Sequence, residues 1–224
     1  MMLKGISGIK IHIVGKMKLI INILILLVVF SCKKQEKDLL QVTELDSYKI
    51  VKTKINDSIY KIYGTNRDYT IDGSLNILNN SKQDWWIIKN NNNNEKYLIE
   101  YIFLDKEIIN QIKIYEKEIL QKELSMYYDY TLTKQKFLLK IYYPKTLETI
   151  DKISFQYIIG DTIKKMRTSQ GKVKCKFEDG SYQCQIPINE NENAISGIAS
   201  IFTHKNEEED VTLGSKNIYV KTKK

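Results

Sequence analysis

From residue 48 onward, apolar and polar positions alternate in short runs, the period-two signature of strands with one buried face. Residues 48–55 and 59–63 are β-rich runs separated by Asn56-Asp57-Ser58, a turn sequence. Asp72-Gly73 predicts another turn ahead of Leu75 to Leu78. Trp85 to Ile88 reads as a strand, and Asn90 to Asn94 as a loop with nothing to pack. Residues 97–104 are apolar at both parities (Tyr97, Ile99, Tyr101 and Phe103 against Leu98, Ile102 and Leu104), which predicts a strand covered on both sides. Residues 107–124 fit two templates. Ile108, Ile112, Tyr115 and Ile119 would share a helix face, whereas Ile112 and Ile114 would share a strand face; the reading adopted is two strands with a turn near Glu116-Lys117.

A second block follows Tyr127-Tyr128-Asp129-Tyr130. Phe137, Leu139, Ile141 and Tyr143 alternate with Lys136, Leu138, Lys140 and Tyr142 up to Pro144, which ends the strand. Ile153, Phe155, Tyr157 and Ile159 repeat the alternation, and residues 194–203 and 218–221 supply further strands. The fold class is therefore mainly β: antiparallel sheets, with an N-terminal hairpin sheet over residues 46–130 and a β-sandwich-like half over residues 131–224.

The sharpest local pattern is residues 173–186. Asp179-Gly180 is a preferred two-residue type I′ turn. It sets Glu178 opposite Ser181, Phe177 opposite Tyr182, Lys176 opposite Gln183, Cys175 opposite Cys184, and Val173 opposite Ile186. Val173, Cys175, Phe177, Tyr182, Cys184 and Ile186 then share one face. Glu178 and Ser181 form a hydrogen-bonded pair, so the two cysteines fall at a non-hydrogen-bonded pair. Their Cα atoms should stand about 4.5–5.5 Å apart, within disulfide range. A Cys175–Cys184 bridge closing this short loop would contribute roughly 2–3 kcal/mol on chain-entropy grounds.

The N-terminus follows another pattern. Lys16 and Lys18 precede an apolar run from Leu19 to Phe30, interrupted only by Asn22. As a helix this run is roughly 18 Å long against a hydrocarbon thickness of about 30 Å, the size of a signal-peptide core rather than a span. Residues 1–31 are read as a signal peptide, with residues 1–16 either an extended n-region or a stretch ahead of a start at Met17. At the end of the run, Val29-Phe30-Ser31-Cys32 resembles the lipobox of bacterial lipoproteins. The resemblance implies a diacylglycerol on the Cys32 thiol and cleavage just before it. Residues 32–45 are then read as the lipidated Cys and a polar tether. The implied partner is the lipid bilayer, since two or more acyl chains hold a protein stably at about 0.8 kcal/mol per buried CH₂. Lys33, in place of an aspartate after the cysteine, resembles lipoproteins destined for the outer membrane. An envelope location is oxidising and permits the Cys175–Cys184 bridge. Between residues 58 and 115, Asp72-Gly73 and Asp84-Trp85-Trp86 resemble in part the MORN-type hairpin repeats, whose pattern is Gly followed by Gly-x-Trp-x-x-Tyr; the second glycine is missing here.

Composition changes this picture little. The formal charge is +8, but residues 1–31 hold four lysines and no acid, which leaves 31 Lys+Arg against 27 Asp+Glu in the rest. That residual +4 reads as mild and spread along the chain, and nucleic acid is not an expected partner. Beyond residue 31 there is one histidine, His204, so a two-imidazole metal site is excluded; it reads as a surface or strand-end residue rather than a catalytic one. No Gly-x-Ser-x-Gly elbow and no Gly-rich phosphate loop are present. Glu207-Glu208-Glu209-Asp210 lacks the spacing of a calcium loop and reads as a solvated hairpin loop. No cofactor, metal or catalytic residue is implied. Trp85-Trp86 and the tyrosines Tyr127, Tyr128, Tyr130, Tyr142 and Tyr143 are the candidates for a binding face. Trp85 and Trp86, consecutive in a strand, point to opposite faces: one in the core, the other available to a protein or glycan ligand. The reading is a lipid-anchored envelope protein acting as a non-catalytic binding or structural module. Its alternatives are an immunity- or inhibitor-type lipoprotein that captures another protein, and an envelope hydrolase using dispersed carboxylates.

Overall fold

The computed structural model describes residues 39–144, 148–206 and 210–222. The chain divides into two units between Val42 and Thr43. Of the first, the described part is one helical turn, α1 (Leu39–Val42). Cys32 and the signal-peptide region lie outside the described residues. Among the described residues no helix is long and apolar enough to cross a membrane.

The second unit is antiparallel β throughout. It opens with a 3-10 turn, Leu45–Ser47, followed by a seven-stranded sheet in sequence order: β1 (Lys49–Lys54), β2 (Ile59–Thr65), β3 (Tyr69–Asn76), β4 (Ser81–Asn90), β5 (Glu95–Phe103), β6 (Glu107–Glu116) and β7 (Ile119–Leu120). The ambiguous stretch 107–124 is thus strand, turn, strand. Its turn places Lys117 and Glu118 at φ 50° and 62°, the backbone of a type I′ hairpin. At the β1–β2 turn the Asn56 carboxamide oxygen accepts the N–H groups of Ser58 and Ile59, at 3.0 and 2.9 Å.

Two expectations in this half fail for identifiable reasons. Asp72-Gly73 is no turn; both residues lie inside β3. Between Asp72 and Ser74 stands only Gly73, while the facing β4 places Asp84, Trp85 and Trp86 in the same interval, with Asp84 at φ 58°. This bulge lays the Trp86 indole on Gly73, where any Cβ would overlap the ring. The indole N–H donates to the Ser74 carbonyl at 3.1 Å. Glycine is there for close approach, not for turning. Residues 97–104, in turn, are covered on one side only. Ile99 and Tyr101 are buried with Ile62, Ile71 and Ile88, whereas Leu98 is half-buried and Leu104 exposed.

After β7 the chain returns to β6 through a two-way backbone pair between Ile112 and Met126 (2.7 and 2.9 Å) and enters the second half. The strand β8 (Tyr127–Leu132) pairs there, with β9 (Lys136–Tyr142). The remaining strands are β10 (Thr149–Asp161), β11 (Met166–Lys174), β12 (Lys176–Glu178), β13 (Ser181–Pro187), β14 (Ala194–Asn206) and β15 (Val211–Lys221). They form two four-stranded sheets, β11-β10-β14-β15 and β12-β13-β9-β8. Phe137, Leu139, Ile141 and Ile186 from one meet Ile153, Phe155, Ala199, Ile201 and Ile218 from the other in a single core.

Cys175 is the corner between these sheets. Its N–H still reaches the Ile153 carbonyl of β10 at 2.9 Å, while its sulfur is bonded to Cys184 of β13 across a Cα–Cα distance of 4.4 Å. Asp179 and Gly180 have φ 48° and 73°, and the pairs Lys176–Gln183, Phe177–Tyr182 and Glu178–Ser181 hold as expected. The ladder stops there. Val173 faces Phe155, not Ile186, because the strand has changed sheets, and Phe177 is exposed rather than buried with its parity-mates.

Behind β11 the loop 188–193 closes on a buried acid. Glu192 accepts the Thr168 hydroxyl and the Asn189 N–H, each at 2.7 Å. Burial pushes its carboxyl upward, but these hydrogen bonds outweigh it and hold the group below the usual carboxylate range. A depressed folded pKa stabilises above the unfolded value of about 4.3 and ceases to do so as pH falls through the folded value. Thermal melts from pH 7 down to pH 3 should therefore show Glu192→Gln less stable at pH 7 by about 1–3 kcal/mol and flatter in acid than the parent. A parallel pair of curves would contradict the assignment. At the bulge, Gly73→Ala should cost about 1–3 kcal/mol by overpacking. In a double-mutant cycle Trp86→Leu should recover part of that loss; strict additivity in the denaturation midpoints would rule the contact out.

Candidate functional site

Among the described residues, no strand or helix covers the side of the seven-stranded sheet away from Ile62 and Ile99. Cross-strand pairing sets Val51, Tyr63, Asp72, Ile87, Leu98 and Lys113 in one row over six strands. Val51 and Tyr63 are 62% and 50% exposed, Ile87 and Leu98 are half-buried, and Lys61 pairs with Asp72 beside them. Four of the six positions are apolar, in two pairs (Val51 with Tyr63, Ile87 with Leu98) separated by the Lys61–Asp72 ion pair and bounded by Lys113; apolar surface left open in this way is a candidate docking face.

Trp85 stands on this face, half-buried, and Trp86 on the other, fully buried. Strand alternation explains the split. The Lys113 ammonium lies over the Trp85 ring (5.7 Å to its centre) and over the Tyr127 ring (4.8 Å), with the Asp129 carboxylate at 3.9 Å. Tyr127 in turn stacks on Tyr142 at 4.4 Å, and Lys122 sits over Tyr142 at 5.6 Å. Rings and cations thus form one series from β4 across β6 to β8 and β9: Lys113 lies between the Trp85 and Tyr127 rings, and Lys122 sits over Tyr142 beyond the stacked tyrosines. Burial first, then the neighbouring Tyr142 and Asp129, raise the Tyr127 phenol well above its ordinary value.

What fixes this seam is a polar cluster one strand away. A bulge in β6 sets Asn110 and Gln111 together, and both donate to one oxygen of Glu100, at 2.7 and 2.6 Å. The Asn110 carboxamide also accepts the Tyr219 N–H (2.7 Å) and donates to the Tyr219 carbonyl (2.9 Å), so a side chain pairs with the edge of β15 as a strand would. The Gln111 carboxamide oxygen takes the Tyr128 N–H at 3.0 Å, and Lys216 donates to the Ile109 carbonyl at 3.2 Å. Burial pushes the Lys216 ammonium below its ordinary value.

Away from this seam, His204 meets Asp151 at 2.6 Å between Nδ1 and Oδ1, beside a bulge in β10. A depression of about 520 Å³ lies at the far end of the seven-stranded sheet, lined by Asp46 to Lys49 and Thr65 to Arg67. Among the described residues no group of three or more His, Cys, Asp or Glu is placed to hold a metal. Glu207 to Glu209 lie outside the described residues, and Asp210 is exposed just before β15.

Sequence reasoning named the Trp85–Trp86 pair and, among other tyrosines, Tyr127 and Tyr142 as candidates for a binding face, without choosing between the tryptophans; it missed Lys113. The signal was thin: Lys113 stands between Ile112 and Ile114, at an outward parity of the strand. It also spread the positive charge too evenly. Between Lys164 and Lys176 stand six basic residues and no acid. No protein-family model matches the chain, and a comparison with curated proteins returns no match.

The two tryptophans give a direct check. With Trp86→Phe, the remaining Trp85 should be quenched readily by acrylamide; with Trp85→Phe, the remaining Trp86 should be nearly protected. Lys113→Ala should shift only the Trp85 emission. Equal quenching of the two single-tryptophan proteins would contradict the assignment of faces.

Proposed function

We propose that this chain is a lipid-anchored cell-envelope protein that works by binding, not by catalysis. Acylated Cys32 holds it to the bilayer, and the open sheet face around Trp85 receives a protein or glycan ligand. The observation that carries the binding half is Trp85 itself: a large ring half-exposed on an uncovered face, steadied by Lys113 and continuous with Ile87 and Leu98. Aromatic residues so placed supply contact area at low entropic cost. The lipobox resemblance carries the anchoring half. Glu100, the carboxylate nearest in the ladder, already accepts Asn110 and Gln111 and acts as a brace.

A protein partner is the favoured ligand, because the row from Val51 to Leu98 is broad and shallow; capture of another protein by an immunity- or inhibitor-type lipoprotein fits that shape. The MORN-type likeness of residues 58–115 gains support from the consecutive hairpins and from the contact of Gly73 with Trp86.

Labelled palmitate should enter the wild-type protein and not Cys32→Ser, and the variant should leave the membrane fraction. Cross-linking in membranes should yield a partner band that weakens at least about tenfold with Trp85→Ala. An equally membrane-bound, unlabelled wild type would refute the anchor, and an unchanged band would refute the face.

A further inference from the structure

A run of basic residues lies on a sheet edge that, among the described residues, has no strand beside it. β11 ends its sheet, and its residues are exposed except for Gly171 and Val173, which are half-buried. Lys164, Lys165, Arg167, Lys172, Lys174 and Lys176 follow one another through it and its flanks without an acid. Among the described residues no ion pair joins any of them to a carboxylate.

The direction of the backbone can be read from three hydrogen bonds. The carbonyls of Ile153 and Ile159 point at β11, accepting the Cys175 N–H (2.9 Å) and the Thr168 hydroxyl (3.2 Å). The Gly160 carbonyl points the other way, to the Asn193 N–H at 3.2 Å. Odd residues of β10 thus bond to β11, and even ones to β14. Lys174, Lys172 and Gln170 stand opposite the even residues Ser154, Gln156 and Ile158. Antiparallel alternation turns their N–H and C=O groups outward, to where the next strand would lie. Their side chains share the face opposite the core residues Ile153 and Phe155. The β10 and β14 positions of that face, from Lys152 to Ile158 and from Ser196 to Phe202, include no carboxylate.

We propose that β11 takes up, as an added fifth strand, an extended peptide segment whose acidic residues recur at every second position. Main-chain hydrogen bonds to Gln170, Lys172 and Lys174 would hold it, and its carboxylates would stand beside Lys172 and Lys174 on the outer face. This is strand addition at a sheet edge, with register set by charge. Lysines on an open edge also keep two copies of that edge from pairing, since like charges oppose across strands. An acidic strand converts the same repulsion to attraction, so the edge is closed to itself and open to one class of partner. A depression of about 460 Å³ at the start of β11, lined by Ile158, Lys165, Met166 and Arg167 among others, offers room for one apolar side chain at the segment's end. The site adds a ligand to the binding reading but does not need the lipid anchor. Loss of palmitate labelling leaves it standing, and failure of peptide binding leaves the anchor standing.

The test uses the detergent-solubilised full chain and a dye-labelled nine-residue peptide alternating glutamate with valine, followed by fluorescence anisotropy. The comparators are a peptide of equal composition with its glutamates in one block, the alternating peptide N-methylated on every second amide in each of the two phases, and heparin. The alternating peptide should bind at least about tenfold more tightly than the block peptide and than one of the two methylated forms. Binding should slow amide hydrogen exchange across residues 166–174. Lys172→Glu with Lys174→Glu should abolish it and favour a lysine–valine peptide instead. If that variant fails to fold, the methylated peptides decide. Equal binding of block peptide or heparin with unchanged exchange, two methylated forms as tight as the parent, or no binding would overturn the proposal.

Discussion

Every strand at the margin of a sheet leaves a row of amide and carbonyl groups to be satisfied, and the architecture follows from how this chain meets that demand. At β15 the answer is the Asn110 carboxamide, which gives and takes a hydrogen bond with Tyr219 and so occupies the place of a strand. At β8 it is Gln111, which receives the Tyr128 N–H. Both side chains come from one bulge in β6 and are held in place by Glu100. A single acid and two amides thereby fix the seven-stranded sheet against both sheets of the sandwich. The ring-and-cation series from Trp85 to Tyr142 exists because that junction sets β8 and β9 beside β6, whose Lys113 reaches across β5 to the Trp85 ring of β4.

The opposite margin of the sandwich is treated differently. There the chain passes from one sheet to the other at Cys175, and the bond to Cys184 secures the crossing. A disulfide constrains the unfolded chain as well as the folded one; here it also fixes which strand turns the corner. β11 is then left as the one element of that sheet whose outer hydrogen-bonding groups face solvent alongside unpaired lysines.

Much of this was legible wherever the physics is local. The type I′ hairpin at Asp179-Gly180 and the cysteine pairing could be derived residue by residue, because turn type dictates register and register dictates which side chains meet. The strands at Phe137 to Ile141 and Ile153 to Ile159 were plain from alternation against a buried core. Nonlocal choices left weaker marks. Nothing near Val173 announces that its strand will leave one sheet for another, so the pairing with Ile186 was a sound local inference that tertiary structure overrode. Gly73 reads as a turn residue after aspartate, and only the indole of Trp86, thirteen positions later, gives it another purpose. β11 itself has too little apolar alternation to register as a strand, although its run of lysines was in plain view. The seam around Trp85 was half visible: adjacent tryptophans must divide between faces and the tyrosines were in plain view, but nothing local says that Lys113 joins Trp85 to Tyr127 from a strand between them.

The order of the strands has a kinetic meaning. In the first sheet each strand pairs with the one just made, so no hydrogen-bonded ladder waits on distant sequence, and contact order there is low. In the sandwich β10 must find β14, and β9 must find β13, across intervening chain. A ribosome delivering residues in order would release a sheet that can close on itself well before its neighbour is complete. The apolar strands of the sandwich would therefore emerge beside an already formed surface, against which the later half can condense.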